Sequence, residues 1–148
     1  MCRKIMPTMY LLIFLMLSIG IHFVFPGKKI IHFPYTLSGI LFIIFGAVLN
    51  IRADNLFKKS STTVKPHEEP TSLEVTGPFR LSRHPMYLGM AAIILGAAVI
   101  LGSLIPFVFP LLFVILMEAL FITTEEENLK QAFGEKYLDY KKKVRRWI

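Results

Sequence analysis

"MYLGMAAIILGAAVILGSLIPFVFPLLFVILMEALFIT", residues 86–123, carries one charged side chain, Glu118, along its whole length. A helix that crosses a bilayer needs about 20 mostly apolar residues, so this stretch is long enough for two. The link between them is only "GSLIP", residues 102–106. Two spans joined so briefly must run antiparallel, one over Met86–Ile105 and one over Pro106–Thr123. The Gly and Ala content of the first suits close helix packing in lipid.

The rest of the chain agrees with a membrane setting. Of 148 residues, 54% are hydrophobic and the mean hydropathy is +0.57, too apolar for an ordinary soluble domain of this size. Pro7–Phe25 and Tyr35–Ile51 are two further uncharged runs of spanning length. The first has a basic start like a signal peptide, but its apolar run is long and no small-residue cleavage site follows, so it reads as an uncleaved anchor. The sequence thus predicts one all-α integral membrane domain over 1–148, with four transmembrane helices near 7–25, 35–51, 86–105 and 106–123.

Charge orients these spans. Lys and Arg number two before the first span, six in the loop 52–84 and seven in the tail 124–148, against Lys28 and Lys29 in the remaining loops. Fifteen against two puts both termini and the long loop in the cytoplasm. In the tail, Leu129, Phe133, Tyr137, Tyr140, Val144 and Trp147 recur at spacings of three and four, with Lys141–Lys143, Arg145 and Arg146 crowded at the end. That pattern predicts a C-terminal amphipathic helix lying at an anionic membrane surface. The lone cysteine, Cys2, excludes an internal disulfide.

The hairpin decides where chemistry could occur. Its two arms climb and descend equal distances, so the start of the third span and the end of the fourth meet, about 10–20 Å apart or closer. Arg83, His84 and Tyr87 sit at the first point; Glu125, Glu126 and Glu127 sit at the second. Pro85 suits the first helical position, leaving unpaired N–H groups that favour anions. If the fourth span ends near Thr123, its carbonyls add negative potential to the glutamates. A ligand bearing both a carboxylate and a cation would suit such a place. A plainer reading also holds, in which Arg83 and His84 face headgroups, Tyr87 is an interfacial aromatic and the glutamates are solvated.

Glu118 precedes Glu125 by seven residues, hence nearly the same helical face, and an acid inside a span is a functional candidate. It is expected to face the bundle interior. His22 and His32 read as interfacial. His67 in "KPHEEP" has no second histidine at ligand spacing, so no metal is expected.

"GPFRLSRHPMYLG", followed by "EEENLKQAFGEKYLDYKKKVRRW", resembles the carboxyl-terminal half of the isoprenylcysteine carboxyl methyltransferase and phospholipid methyltransferase superfamily, in particular its small bacterial members. Arg83, His84, Pro85, Tyr87, Gly89, Glu125 and Glu126 match its motif, and Phe133, Gly134, Tyr137, Tyr140 and Val144 match its tail. The resemblance implies an S-adenosylmethionine-dependent enzyme of the bacterial inner membrane, with the cofactor held by His84, Tyr87, Leu88, Gly89, Glu125 and Glu126. For a methyl transfer, Glu126, Arg83 and Arg80 are the candidate catalytic residues, with Arg80, Arg83 or Arg52 holding an anionic acceptor and Glu126 or His84 serving as base for a protonated one. The partners are the membrane and a lipid or small amphiphile, not nucleic acid. Where eukaryotic isoprenylcysteine enzymes carry arginines just before the glutamates, this chain has "EALFIT", so a prenylated protein is no better supported as acceptor than another amphiphile. A sterol-reductase-like NADPH enzyme and a non-catalytic membrane partner are the alternatives.

Overall fold

The computed structural model describes residues 6–25, 27–59 and 72–148. Most of the described residues are helical, with short 3-10 turns and one isolated bridge between Lys29 and Ser103. The helices are α1 (Pro7–Val24), α2 (Ser38–Lys59), α3 (Pro85–Leu101), α4 (Val108–Met117), α5 (Thr123–Phe133) and α6 (Glu135–Lys143). A π-helical turn, Glu118–Ile122, joins α4 to α5 without a break, so Ile105–Phe133 forms one long rod. Cys2, the basic pair Arg3 and Lys4, and His67 lie outside the described residues.

Three helices are long and apolar enough to cross a membrane: Pro7–Val24, Tyr35–Lys59 and Ile105–Phe133. The fourth apolar helix, α3, has 17 residues and ends four residues earlier than the sequence suggests, at Leu101. Gly102 explains the stop: its φ of 70° is left-handed, and its N–H closes the helix on the Ala98 carbonyl at 3.0 Å. Ile30 and Ile31 then donate to the Gly102 carbonyl, which ties the loop after α1 to this end of the hairpin.

α3 is apolar on all sides and is the buried axis of the bundle, as expected for a helix without a polar face. Tyr87, Met90, Ala91 and Ile94 pack with Phe109, Phe113, Met117, Phe121 and Ile122 of the rod, while Tyr10 and Phe14 of α1 cover them. Phe14 meets Phe113 edge to face at 5.6 Å. On the other flank, α2 crosses α3 through two glycine pairs. A Cβ at Gly96 would meet the Gly39 carbonyl oxygen at 2.5 Å, and one at Gly89 would meet the Gly46 carbonyl oxygen at 2.7 Å. Only glycine permits backbones to approach this closely. Outward, large apolar side chains stay uncovered, Met16 at 71% and Leu111 at 67% exposure among them. Such a belt is unfavourable in water and matches a hydrocarbon surrounding.

Two further elements depart from the sequence reading. α2 runs to Lys59, two turns beyond Ile51, because Ala53, Leu56 and Phe57 continue an apolar stripe and Asp54 pairs with Lys58 at 2.5 Å. The tail is two helices, broken at Gly134 with φ 51°. Its stripe packs inward: Tyr137 and Tyr140 are buried with Ala53 and Phe79, and Leu129, Phe133 and Val144 lie against them. Trp147 joins the core beside α3. The apolar face of the tail therefore covers protein, and its lysines face outward.

Candidate active site

The amino-terminal side of the site is built by a short, bent segment. Gly77, with φ 56°, turns the chain into the 3-10 turn Gly77–Arg80, which buries Phe79. Tyr140 donates to the Phe79 carbonyl at 2.6 Å and so fixes this turn against α6. Ser82 is fully buried, and its hydroxyl accepts the His84 N–H at 3.1 Å while donating to the Arg146 carbonyl at 2.8 Å. Pro85 opens α3 with His84 as the preceding cap residue. The RHP segment is thus held from both sides before any functional group is considered.

Glu125 and Glu126 project from α5 onto that segment. Tyr87 donates to Glu125 Oε1 at 2.5 Å, and His84 Nδ1 lies 3.3 Å from Glu125 Oε2. Glu126 is buried, and four cations surround it: Arg83 Nη1 at 2.9 Å, Arg146 Nε at 3.0 Å and Nη2 at 2.8 Å, His84 Nε2 at 3.5 Å and Lys141 Nζ at 3.7 Å. Arg83 also donates to the Tyr137 hydroxyl at 3.2 Å. Burial works against a charged His84, yet Glu125 and Glu126 outweigh it and hold the imidazole pKa above its ordinary value. Burial, reinforced by the Glu126 charge, likewise pushes the Tyr137 phenol up.

The hairpin brings Arg83, His84 and Tyr87 against Glu125 and Glu126, as the spacing predicts. The source of the negative potential differs from the expectation. The rod does not end at Thr123 but continues to Phe133, so its carbonyls there are engaged within the helix and the carboxylates alone supply the charge. Glu118 also changes partner. The π turn inserts one residue into the helical register, so Glu118 shares a face with Glu126, eight residues on, rather than with Glu125. Its carboxylate is 41% exposed and bonds Arg146 Nη1.

Arg80 is exposed at the end of its turn, and Arg52 lines a separate apolar groove of about 350 Å³ with Phe45, Leu49 and Leu81. Leu88 is half-buried, and Gly89 lies at the crossing with α2 beside Asn50. Arg146 and Ser82 belong to the cluster although residue spacing does not mark them. In sequence Arg146 is one of five crowded cations, and its only distinguishing signal is the neighbouring Trp147, an aromatic that needs a core.

Among the described residues, Arg83 Nε and His84 Nε2 are buried without a hydrogen-bond partner. These are donors that an added acceptor would satisfy, and Glu125, with a fifth of its side chain exposed, is an acceptor within reach of an added cation.

A family model described as phospholipid methyltransferase matches residues 34–136. The chain is 35% identical over 63 residues to an uncharacterized protein of Haemophilus influenzae, covering 43% of this chain and 100% of that protein. It is 40% identical over 75 residues to a protein-S-isoprenylcysteine O-methyltransferase of Schizosaccharomyces pombe, covering 49% of this chain and 30% of the yeast enzyme. The chain thus spans less than a third of the yeast enzyme's length. No solved structure matches.

Proposed function

The chain belongs to the phospholipid methyltransferase family, and we propose that it is an integral membrane enzyme transferring methyl from S-adenosylmethionine to a lipid-like or small amphiphilic acceptor. The observation that carries this reading is the junction of carboxylates and cations around Glu126, placed where an apolar bundle ends. The donor set fits an amino-acid head. Arg83 and His84 would take its carboxylate, while Glu125, positioned by Tyr87, would take its amino group. Leu88 and Gly89, next on α3, complete the proposed binding segment. When bound, S-adenosylmethionine supplies an electrophilic methyl group, which leaves the protein chiefly the task of alignment.

The proton inventory favours one kind of acceptor. Glu126 is tied to two guanidinium groups, and His84 is held toward its cationic form, so both are poorly disposed to remove a proton. An acceptor that arrives as an anion, a carboxylate above all, needs no such base. Arg83, with Arg80 or Arg52 nearer the surface, would hold that anion. Amine N-methylation would instead require deprotonation through solvent.

The proposed setting is four spans, α1, α2, α3 and the apolar part of the rod, with α6 and its lysines along the cytoplasmic headgroups of a bacterial inner membrane. Incubation of the purified protein with labelled S-adenosylmethionine and a lipid extract of the source cells should give a labelled lipid. His84→Ala and Glu126→Ala should each remove most of that label. If donor binding is absent, and both variants behave like the parent in cells, the methyltransferase reading is wrong.

A further inference from the structure

The last residues of the chain return across the site as a strap. After α6 ends at Lys143, the backbone runs extended at Val144, and its carbonyls at Arg145 and Arg146 accept from the Arg83 N–H (3.1 Å) and the Ser82 hydroxyl (2.8 Å). Both anchors belong to the segment that carries His84. Trp147 follows immediately and packs into the core beside α3. The strap therefore has three attachments flanking a single side chain, that of Arg146.

That side chain joins two carboxylates that regular helix geometry would set on different faces. Its Nε and Nη2 form a fork on the two oxygens of Glu126, while Nη1 reaches Glu118 on the far side of the π turn. A guanidinium can make these bonds simultaneously; an ammonium cannot. Glu126 also receives Arg83, so the orientation of its carboxylate, and through it that of Arg83 and His84, depends on the fork.

We propose that Arg146 is a positioning residue for the acidic pair, and that the C-terminal strap exists to present it. Arg146 acts through Glu126 and needs no contact with a reacting atom. The π turn has a matching purpose, since it brings Glu118 to the same face as Glu126 for one guanidinium to bridge. The proposal rests on the methyltransferase reading for its consequence in turnover, but the geometry it assigns is testable without turnover.

The full-length protein in lipid nanodiscs suits the test, because Trp147 is the only tryptophan in the chain and reports the docked strap by its emission. Arg146→Gln should lower affinity for S-adenosylmethionine or the turnover rate by roughly 10–100-fold, the range typical of residues that orient a binding group from behind. Arg146→Lys should recover only part of that loss. Glu118→Gln should cost less, and the double variant Arg146→Gln/Glu118→Gln should be no worse than Arg146→Gln alone, because Glu118 acts only through the bridge. Lys143→Gln, whose side chain is exposed, is the control and should match the parent.

A second readout is independent of the reaction. Removing the Arg146 charge strengthens the net field of the carboxylates at His84, so the His84 titration followed by NMR should move to higher pH in Arg146→Gln. If Arg146→Gln is folded, with Trp147 emission unchanged, and shows neither a His84 shift nor a loss of binding, the proposal is overturned. If Arg146→Gln does not fold, additive losses in the Arg146→Lys/Glu118→Gln pair overturn it, and non-additive ones support it. Absence of S-adenosylmethionine binding in the parent defeats the functional reading alone; the His84 shift then still decides the positioning role.

Discussion

Around Glu126 the buried negative charge is matched by Arg83, Arg146, Lys141 and His84, an arrangement that makes the carboxylate far costlier to remove than to keep. Glu126→Gln should destabilise the protein by about 3–5 kcal/mol, since it leaves buried guanidinium groups uncompensated. The fall in thermal midpoint should accompany loss of methyl transfer. His84 gives a pH signature. Its native pKa is raised above the ordinary 6.5 of the unfolded chain, so the stability it contributes is whole below about pH 6.5 and is lost as pH rises through the native value. Thermal midpoints of the parent should decline over that alkaline window, and those of His84→Gln should not. Tyr87→Phe is milder, because it removes one donor from a partly exposed Glu125. Roughly 1 kcal/mol of stability should be lost, with a larger effect on donor binding than on fold.

At the scale of elements, the α2–α3 crossing and the π turn set the positions that those residues need. Gly46→Ala drives a methyl into the Gly89 carbonyl and should cost about 1–3 kcal/mol as forced overpacking. Gly20→Ala in α1, where a Cβ meets nothing within 4 Å, should be neutral or slightly stabilising by helix propensity. Paired melts of the two variants check the contrast. Deleting Ala119, exposed within the π turn, removes the inserted residue and leaves Glu118 and Glu126 seven apart in a regular helix, still on one face. Helix content by circular dichroism should be kept, and methyl transfer with it, because Arg146 can still bridge the two carboxylates. These positions are partly legible in the sequence: small residues in a span announce close packing, but nothing in "LMEALFIT" announces an inserted residue.

For the whole molecule, the proposed orientation puts the site, the strap and both termini on one side of the membrane. Reporter fusions at the two ends should both give the cytoplasmic signal, and a tag between Gly27 and Lys28 the opposite one. The hairpin, the meeting of RHP with the glutamates and the membrane setting follow from local properties, namely apolar run length and a five-residue link. The tail is less legible. Its periodic stripe is equally suited to a lipid surface and to a protein groove, because both are apolar and neither leaves a distinct pattern of residues. The packing of Tyr137 and Tyr140 on Ala53 and Phe79 shows the protein groove to be the neighbour.

The sequence alone therefore determined the apolar runs, their hairpin and the identity of the charged groups that converge at its mouth, since run length and short links are local. Tertiary structure alone decided which of five crowded tail cations enters the site and which glutamates it joins. Those choices depend on a helix register shifted by one π turn and on a strap pinned by backbone bonds to Ser82 and Arg83. Register and backbone pairing across the chain carry no residue-type signature, so they become visible only in the folded molecule.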